Sequence, residues 1–384
     1  MAHGNIIFRQ LLQLVDRHVF NRVEQDRFKS GRQCRSLNRW QQFTAMMFAQ
    51  LGGLSSLRDI AQQFEGQAKR LYHLGLRAVR RSTLADANAE RPAEFFEAIF
   101  QEQYARCALL APKKKFHFKN KLYSFDSSVV DLCLSMFPWA KFRRTKGGIK
   151  LHTLLDHDGY LPAVVHITTA KVADVTAARL LKLAAGSIIV MDRGYVDFSL
   201  FSQLHGEGIL FVTRMKRGMR YRVVERRETD RAQGVRSDQT IEFTSAKAKS
   251  CPIGLRRVGY RDAETGKHYF FLTNVFDLAP KTIADIYKER WQVELFFKWI
   301  KQNLKIKSFL GTSKNAVMTQ IWIALITLLM IAYYKFMAKL DMSLSQILKL
   351  IRLNLFVRKN MKDLFAPTIY TQSVQIGTQL SFNF

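Results

Sequence analysis

The sequence predicts an α/β protein with a mixed sheet at its centre. A helical region precedes the sheet, a β-rich insertion interrupts it and further helices close it. Three observations carry this. Apolar residues recur at helical spacing through the first 112 residues. After Lys113-Lys114-Lys115 the pattern turns to short strand-like runs, later alternating with helical ones. Residues 214–274 then break that rhythm with a charged, strand-prone stretch.

A chain of 384 residues with 48% apolar content builds two or three domains and a sizeable core. Its net charge of +29 points to a polyanionic partner, most often nucleic acid. A merely basic or ribosome-associated protein is the plainer reading of that charge. Cys34, Cys107, Cys133 and Cys251 lie far apart without a C-x-x-C pair. That spacing argues against a zinc module and a disulfide framework, and for a reducing, cytoplasmic compartment. The N-terminus lacks a signal-peptide layout. Ala316–Tyr334 carries no charge for 19 positions, long enough for a membrane span. Thr319, Gln320 and Thr327 interrupt it, and the expectation is a buried core helix with no membrane partner.

In order, Ile6–Phe20, Trp40–Leu51, Leu54–Leu74 and Ala93–Leu110 read as helices, broken at Gly52-Gly53 and Arg91-Pro92. Ser82-Thr83 would cap a short helix carrying Asp86 and Asn88. Residues 1–112 thus form a helical region, which reads as a DNA-binding domain or equally as a helical scaffold, and 113–121 a basic linker. Leu122–Val130, Lys150–Asp156 and Pro162–Thr168 read as strands, with a turn at Asp158-Gly159. Val172–Leu183 reads as a helix, Ser187–Met191 as a buried parallel strand, Val196–Gly206 as a helix and Ile209–Thr213 as a strand. Three strands followed by strand–helix units describe a mixed layer, as in a ribonuclease H-like core. Its first part is 122–213, its insertion 214–274 and its second part 275–340. Residues 341–384 are a helical C-terminal region whose end, 366–384, is a loose tail.

The most informative stretch is Ile283–Leu304. Tyr287, Arg290, Glu294 and Lys301 stand at offsets 0, 3, 7 and 14. On one continuous helix they fall within about 60° of each other. Ile286, Val293, Phe297, Ile300 and Leu304 flank this stripe on one side; Trp291, Leu295 and Trp299 flank the other. A polar stripe between two apolar flanks predicts a buried helix lining a site.

Two aspartates join it. Asp126 lies in Tyr123-Ser-Phe-Asp-Ser-Ser-Val-Val130, where Asp126, Ser128 and Val130 share a strand face and Asp131 does not. Asp192 ends the run Ile188–Met191 and precedes Arg193-Gly194-Tyr195, a favoured site position at a strand's C-terminal end. Either alone is more often a cap or turn residue. Together with Glu294 they make three carboxylates from three elements, a set suited to Mg²⁺, with Mn²⁺ as substitute. Two ions about 3.5–4 Å apart can activate an attacking hydroxyl and stabilise a leaving oxygen on a phosphodiester. Asp126 would bridge them, with Asp192 and Glu294 each completing one site. Glu289 is a rival acid that, on a continuous helix, faces about 140° away.

At these residues the chain resembles a family. Tyr287-x2-Arg290-x3-Glu294-x6-Lys301 matches the Tyr-Arg-Glu-Lys signature of insertion-sequence transposases of the insertion-sequence-4 type. Asp192-Arg193-Gly194-Tyr195 and Phe125-Asp126-Ser127-Ser128 look like the family's two aspartate motifs. The order of helical N-terminus, core and insertion before the last acid is similar as well. The resemblance implies a DDE transposase in a bacterial, nucleoid-associated setting, dimeric on DNA. Water would cut at the element end, and the exposed 3′-OH would attack target DNA without a covalent protein–DNA intermediate. Arg290, Lys301 and Tyr287 would hold phosphates. One departure stands out: some relatives use an insertion-domain tryptophan to hold a flipped base, and 214–274 has none. Tyr221, Tyr260 or Phe270 would have to stack there.

Further backbone contacts are expected from Lys298 and Arg193. Two basic stretches are also candidates: Lys141–Lys150, with Arg143, Arg144, Lys146 and a Gly147-Gly148 turn, and Arg214–Arg227, with Arg220 and Arg222 on one strand face. A solvated surface is the plainer reading of such runs. His152, His157 and His166 are better explained by strand and turn positions than by a metal site. Two other readings stay open: a nuclease that cuts without strand transfer, and a DNA-binding regulator that has lost catalysis. A tyrosine recombinase, which needs no trio of acids, is a poorer match.

Overall fold

The computed structural model describes residues 6–28, 37–72 and 76–366. Cys34, Leu74 and residues 367–384 of the expected tail lie outside the described residues. Ten strands make one mixed sheet: β1 (Leu122–Leu132), β2 (Lys141–Arg143), β3 (Lys146–Asp156), β4 (Leu161–Thr169), β5 (Ile188–Met191), β6 (Leu210–Arg214), β7 (Tyr221–Arg227), β8 (Val235–Phe243), β9 (Leu255–Arg261) and β10 (His268–Thr273).

The centre of the sheet is β4-β3-β1-β5-β6. β3 runs antiparallel between β1 and β4, whereas β1, β5 and β6 run parallel. β5 is buried at all four positions, as a central parallel strand must be. Its residues alternate between two cores. Ile189 and Met191 pack with the helix Phe198–Gly206 on one face; Ile188 and Val190 pack with the helix Pro280–Lys288 on the other. The strands of the insertion do not fold back as a detached unit. β10 pairs antiparallel with β6, and β9, β8 and β7 follow outward, so they extend the same sheet.

The helical part is built around Lys314–Met337. This helix is the charge-free stretch seen in the sequence, and it is buried inside the fold on nearly all sides. Helices Arg39–Gly52, Arg81–Glu90 and Glu94–Leu110 pack on it, as does Leu344–Asn354 near the C-terminal end. One apolar cluster therefore runs through residues from Ile6 to Ala111 and from Val293 to Met361. The two ends are also tied through backbone, Ile7 N–H donating to Val357 O and Phe8 N–H to Leu355 O.

Several local expectations change. The helix expected over Val172–Leu183 is only Asp174–Ala178; the Arg179 carbonyl accepts from Gln203 Nε2 instead of continuing it. Ser82 and Thr83 lie inside the helix Arg81–Glu90 and do not cap it. The first expected helix is split into Ile7–Leu12 and Arg17–Arg27, because Asp16 accepts from His18 and Val19 N–H and starts a new one. Gly147-Gly148 is not a turn but part of β3; a Cβ at Gly147 would lie 2.9 Å from the Leu132 carbonyl of β1.

The β3–β4 turn does need its glycine. Gly159 has φ +70°, and a Cβ there would lie 2.9 Å from both Ala111 Cβ and Phe336 Cζ. Gly159→Ala is expected to destabilise the fold by about 1–3 kcal/mol, read from the urea midpoint at unchanged slope.

Candidate active site

Strand register brings the two aspartates together. β1 and β5 pair in parallel up to Phe125 opposite Met191, and Asp126 and Asp192 are the next residue on each. Both stand at the C-terminal end of the parallel pair. Asp192 turns its carboxylate onto Gly194 N–H at 2.7 Å, which starts the short helix Arg193–Tyr195. Buried Tyr195 then packs edge-on against Phe125 at 5.4 Å, fixing this turn to β1.

The third acid comes from the far side of the chain, and here the helix expected over Ile283–Leu304 is corrected. It is two helices, Pro280–Lys288 and Trp291–Asn303, with a junction at Glu289-Arg290. Across the junction the bonds tighten to three-residue spacing, Arg290 N–H to Tyr287 O and Val293 N–H to Arg290 O. Tyr287 lies in the last turn of the first helix, Arg290 stands in the junction, and Glu294 and Lys301 lie on the second. The second apolar flank is also corrected. Val293, Phe297 and Ile300 are buried, but Trp291 and Leu295 are 55% and 42% exposed. One flank of the site is therefore open, while Arg290 and Asp126 stay mostly buried at 15% and 21% side-chain exposure.

Arg290 joins the acids. One guanidinium nitrogen lies 3.2 Å from Asp126 Oδ2 and the other 2.6 Å from Glu294 Oε1. Burial pushes the Asp126 carboxyl up to about 6, even though Ser127 N–H and Arg290 favour its charged form; the charges of Asp192 and Glu294 raise it further. Burial opposes the charge of Arg290, but the bond to Glu294 and the nearby Tyr287 and Asp126 hold it above its ordinary value. Its Nε is buried without a partner. Burial also raises the Tyr287 phenol, whose ring packs at 4.8 Å on Phe271 of β10.

Lys301 reaches back to β1, donating to Ser128 Oγ at 2.7 Å and Val129 O at 2.8 Å. Burial lowers its ammonium, and Lys307 adds to the effect. Lys298 and Arg193 are exposed beside this group. Arg143, Arg144 and Lys146 are exposed on the β2–β3 hairpin, and Arg220 is exposed before β7. Arg222 is exposed but bonded to Glu242 at 2.9 and 2.6 Å. Strand order keeps these two basic surfaces apart, with β2 at one edge, β7 at the other and the acids between. β7 lies five strands from β5, roughly 24 Å at the usual spacing.

Sequence reasoning missed Asp174. It accepts from Ser127 Oγ at 2.6 Å and lies 3.0 Å from Lys150 Nζ, so it braces β1 directly beside Asp126. An aspartate in a first helical turn reads as a dipole partner, and nothing in its spacing marks it otherwise. His152, fully buried, sits 3.5 Å from Asp174, and burial pushes it down to about 4. His157 is likewise pushed down by burial to about 4 and shares a hydrogen bond with Ser124 Oγ at 2.8 Å. Among the described residues no three acid, His or Cys side chains stand close enough to hold an ion as they lie. The donor set is nonetheless all carboxylate, and a cationic guanidinium already draws Asp126 and Glu294 together.

Comparison with known proteins bears on this geometry. The family described as "Transposase DDE domain" matches residues 117–330, and "Domain of unknown function (DUF4372)" matches residues 3–77. The chain is 32% identical over 289 residues to "Putative transposase y4zB" of Sinorhizobium fredii, covering 74% of this chain and 80% of that protein. It is 29% identical over 262 residues to "Probable transposase for insertion sequence element IS5377" of Geobacillus stearothermophilus, covering 67% and 68%. Among solved structures it is similar to the piggyBac transposase synaptic complex with hairpin DNA, with a TM-score of 0.45 and 11% identity over 95% of this chain and 81% of that one. The chain belongs to the transposase DDE domain family and is an enzyme of that class.

Proposed function

We propose that this chain cuts DNA at the ends of an insertion element and joins the freed 3′-OH to target DNA. The observation that carries this is the Arg290 guanidinium bonded to Asp126 and Glu294 at once, beside Asp192 at the parallel strand ends. We read β4-β3-β1-β5-β6 with its helices as a ribonuclease H-like core. Asp126, Asp192 and Glu294 would hold Mg²⁺ or Mn²⁺, which when bound would supply an activated nucleophile and charge stabilisation at the leaving oxygen.

The chain's own residues do the rest. Arg290, freed from its carboxylates, turns its fork to a phosphate at the scissile bond. Lys301 and Tyr287 hold the neighbouring phosphate, and Lys298 and Arg193 extend this track across the exposed face. Arg143, Arg144 and Lys146 at one edge and Arg220 and Arg222 at the other contact backbone further along the duplex. Residues 1–112 recognise element ends, 113–121 link them to the core at 122–213 and 275–340, and 214–274 form the insertion. The working form is a homodimer on bacterial nucleoid DNA in the cytoplasm. Residues 341–366 complete the helical scaffold.

The test is cleavage and joining of labelled element-end DNA taken from the flanks of this gene, with Mg²⁺ or EDTA, for wild type and Glu294→Ala. Metal-dependent nicking and joining, absent in the variant, supports the reading. Nicking without joining supports a nuclease. Tight end binding with no metal-dependent product supports a regulator. A pH dependence is also expected. Asp126 keeps its proton up to about pH 6 in the folded chain, and the proton competes with metal. Mn²⁺ affinity should fall roughly tenfold per unit below about pH 6. Titration by Mn²⁺ electron spin resonance at pH 7.5, 6 and 5 checks this, and a flat profile removes Asp126 from the ligand set.

A further inference from the structure

Glu289 is next to Arg290 in the chain but takes no part in the acid–cation group. It is only 7% exposed, and its carboxylate is fully engaged elsewhere. Tyr160 OH donates to its Oε2 at 3.1 Å, and the Lys115 ammonium pairs with its Oε1. Tyr160 stands in the β3–β4 turn, directly after Gly159. Lys115 belongs to the basic segment between the helical region and β1. The same segment is clamped by two other buried acids. Asp158 accepts from Lys114 N–H at 2.8 Å and Lys121 Nζ at 2.8 Å, while Asp156 accepts from Lys121 Nζ at 2.8 Å and Tyr104 OH at 2.9 Å.

The junction Glu289-Arg290 is thus gripped from two sides. Arg290 reaches the active carboxylates through its two terminal nitrogens, and its buried Nε has no partner. Besides the two carboxylates, the guanidinium meets Tyr287, which the same junction carries. Where it lies is set by the backbone, and the backbone is held by its neighbour. A buried carboxylate is costly to desolvate, and an apolar side chain would fill the same space more cheaply. Two fixed hydrogen-bonded partners give orientation instead, which packing alone does not specify.

We propose that Glu289, through Tyr160 and Lys115, is a positioning residue that fixes the backbone junction from which Arg290 reaches into the site beside Asp126 and Glu294. This rests on the catalytic reading above. The measurement is single-turnover cleavage of element-end DNA by the full chain with Mg²⁺, alongside end-DNA affinity. Glu289→Ala should lower the cleavage rate about 10- to 100-fold, as ångström-scale misplacement does, with DNA affinity changed less than about twofold. Glu289→Gln keeps an acceptor for Tyr160 and should recover most of that loss. Because Glu289 acts through Arg290, the double variant Glu289→Ala/Arg290→Ala should be no slower than Arg290→Ala alone.

Equal rates for wild type and Glu289→Ala, or fully additive losses in the double variant, overturn the proposal and leave the transposase reading intact. A wild type that never cuts overturns both. If Glu289→Ala fails to fold by circular dichroism, Tyr160→Phe removes only one hydroxyl. It should then give a severalfold rate loss that vanishes in the Arg290→Ala background, and an unchanged rate overturns the proposal.

Discussion

Asp126→Asn is expected to abolish metal-dependent cleavage, by about a thousandfold or more, and at the same time to make the protein more stable. The first effect follows from removing an oxygen donor that the core places beside Asp192 and Glu294. Asp192→Asn and Glu294→Gln should lose activity to the same degree, with end-DNA binding retained. The second effect follows from burial. The Asp126 side chain is 21% exposed, and its carboxyl is raised to about 6 from an unfolded value near 3.9. The folded chain therefore holds this proton longer than the unfolded chain does. Stability from this group falls as pH rises from about 4 to about 6, and the penalty is complete above that. The neutral amide escapes it, and a gain of about 1–2 kcal/mol is expected at pH 7, shrinking towards pH 4. Urea denaturation at pH 7, 5.5 and 4 reads both magnitude and trend. A variant less stable than wild type at pH 7 would mean that the bond to Arg290 outweighs burial.

Arg256→Met should cost about 3–5 kcal/mol of stability, the largest stability loss expected of any single change outside the apolar core. Arg256 of β9 and Asp238 of β8 are each 3% exposed in their side chains. They meet through paired bonds, Nε to Oδ1 at 2.8 Å and a terminal nitrogen to Oδ2 at 2.7 Å. The remaining nitrogen of Arg256 donates to the carbonyls of Val275, Phe276 and Leu278. That loop leads into the helix Pro280–Lys288 and so to Tyr287 and the junction. Removing the guanidinium leaves the buried Asp238 carboxylate only the longer contact to Arg227 at 3.6 Å and takes the donor from three carbonyls. Asp238→Leu/Arg256→Met, which removes both charges, should be markedly less destabilised than Arg256→Met, as urea midpoints will show. A double variant worse than the single one would mean that the pair itself, and not the stranded charge, carries the stability.

The candidate site was legible in the sequence because its chemistry repeats at fixed offsets. Asp192 follows four buried apolar residues, and a strand buried on both faces can be read from composition alone. Arg290, Glu294 and Lys301 could be placed on one side of the chain by counting. The junction was not legible, since neither glycine nor proline marks it. Glu289 and Arg290 both keep right-handed helical backbone angles, and only their opposed partners and the three-residue bonds show the break. The exposure of Trp291 and Leu295 was likewise hidden, because an apolar flank looks the same whether or not a neighbour covers it. Gly147-Gly148 reads as a turn by composition, but its meaning lies in how closely β1 approaches.

Residue type and spacing by themselves pointed to the α/β class, to the three candidate acids and the cations around them, and to the buried helix at Lys314–Met337. These are local properties: period, charge and the geometry of one segment. Tertiary structure alone decided that the insertion strands extend the central sheet, that the first and last helices share one core, and that Arg290 lies between Asp126 and Glu294. It alone showed that Asp174 bonds to Ser127 of β1 and that Glu289 meets Tyr160 and Lys115. Each of those depends on which segments far apart in the chain come to lie side by side, and contact between distant residues leaves no period in a single sequence to be read.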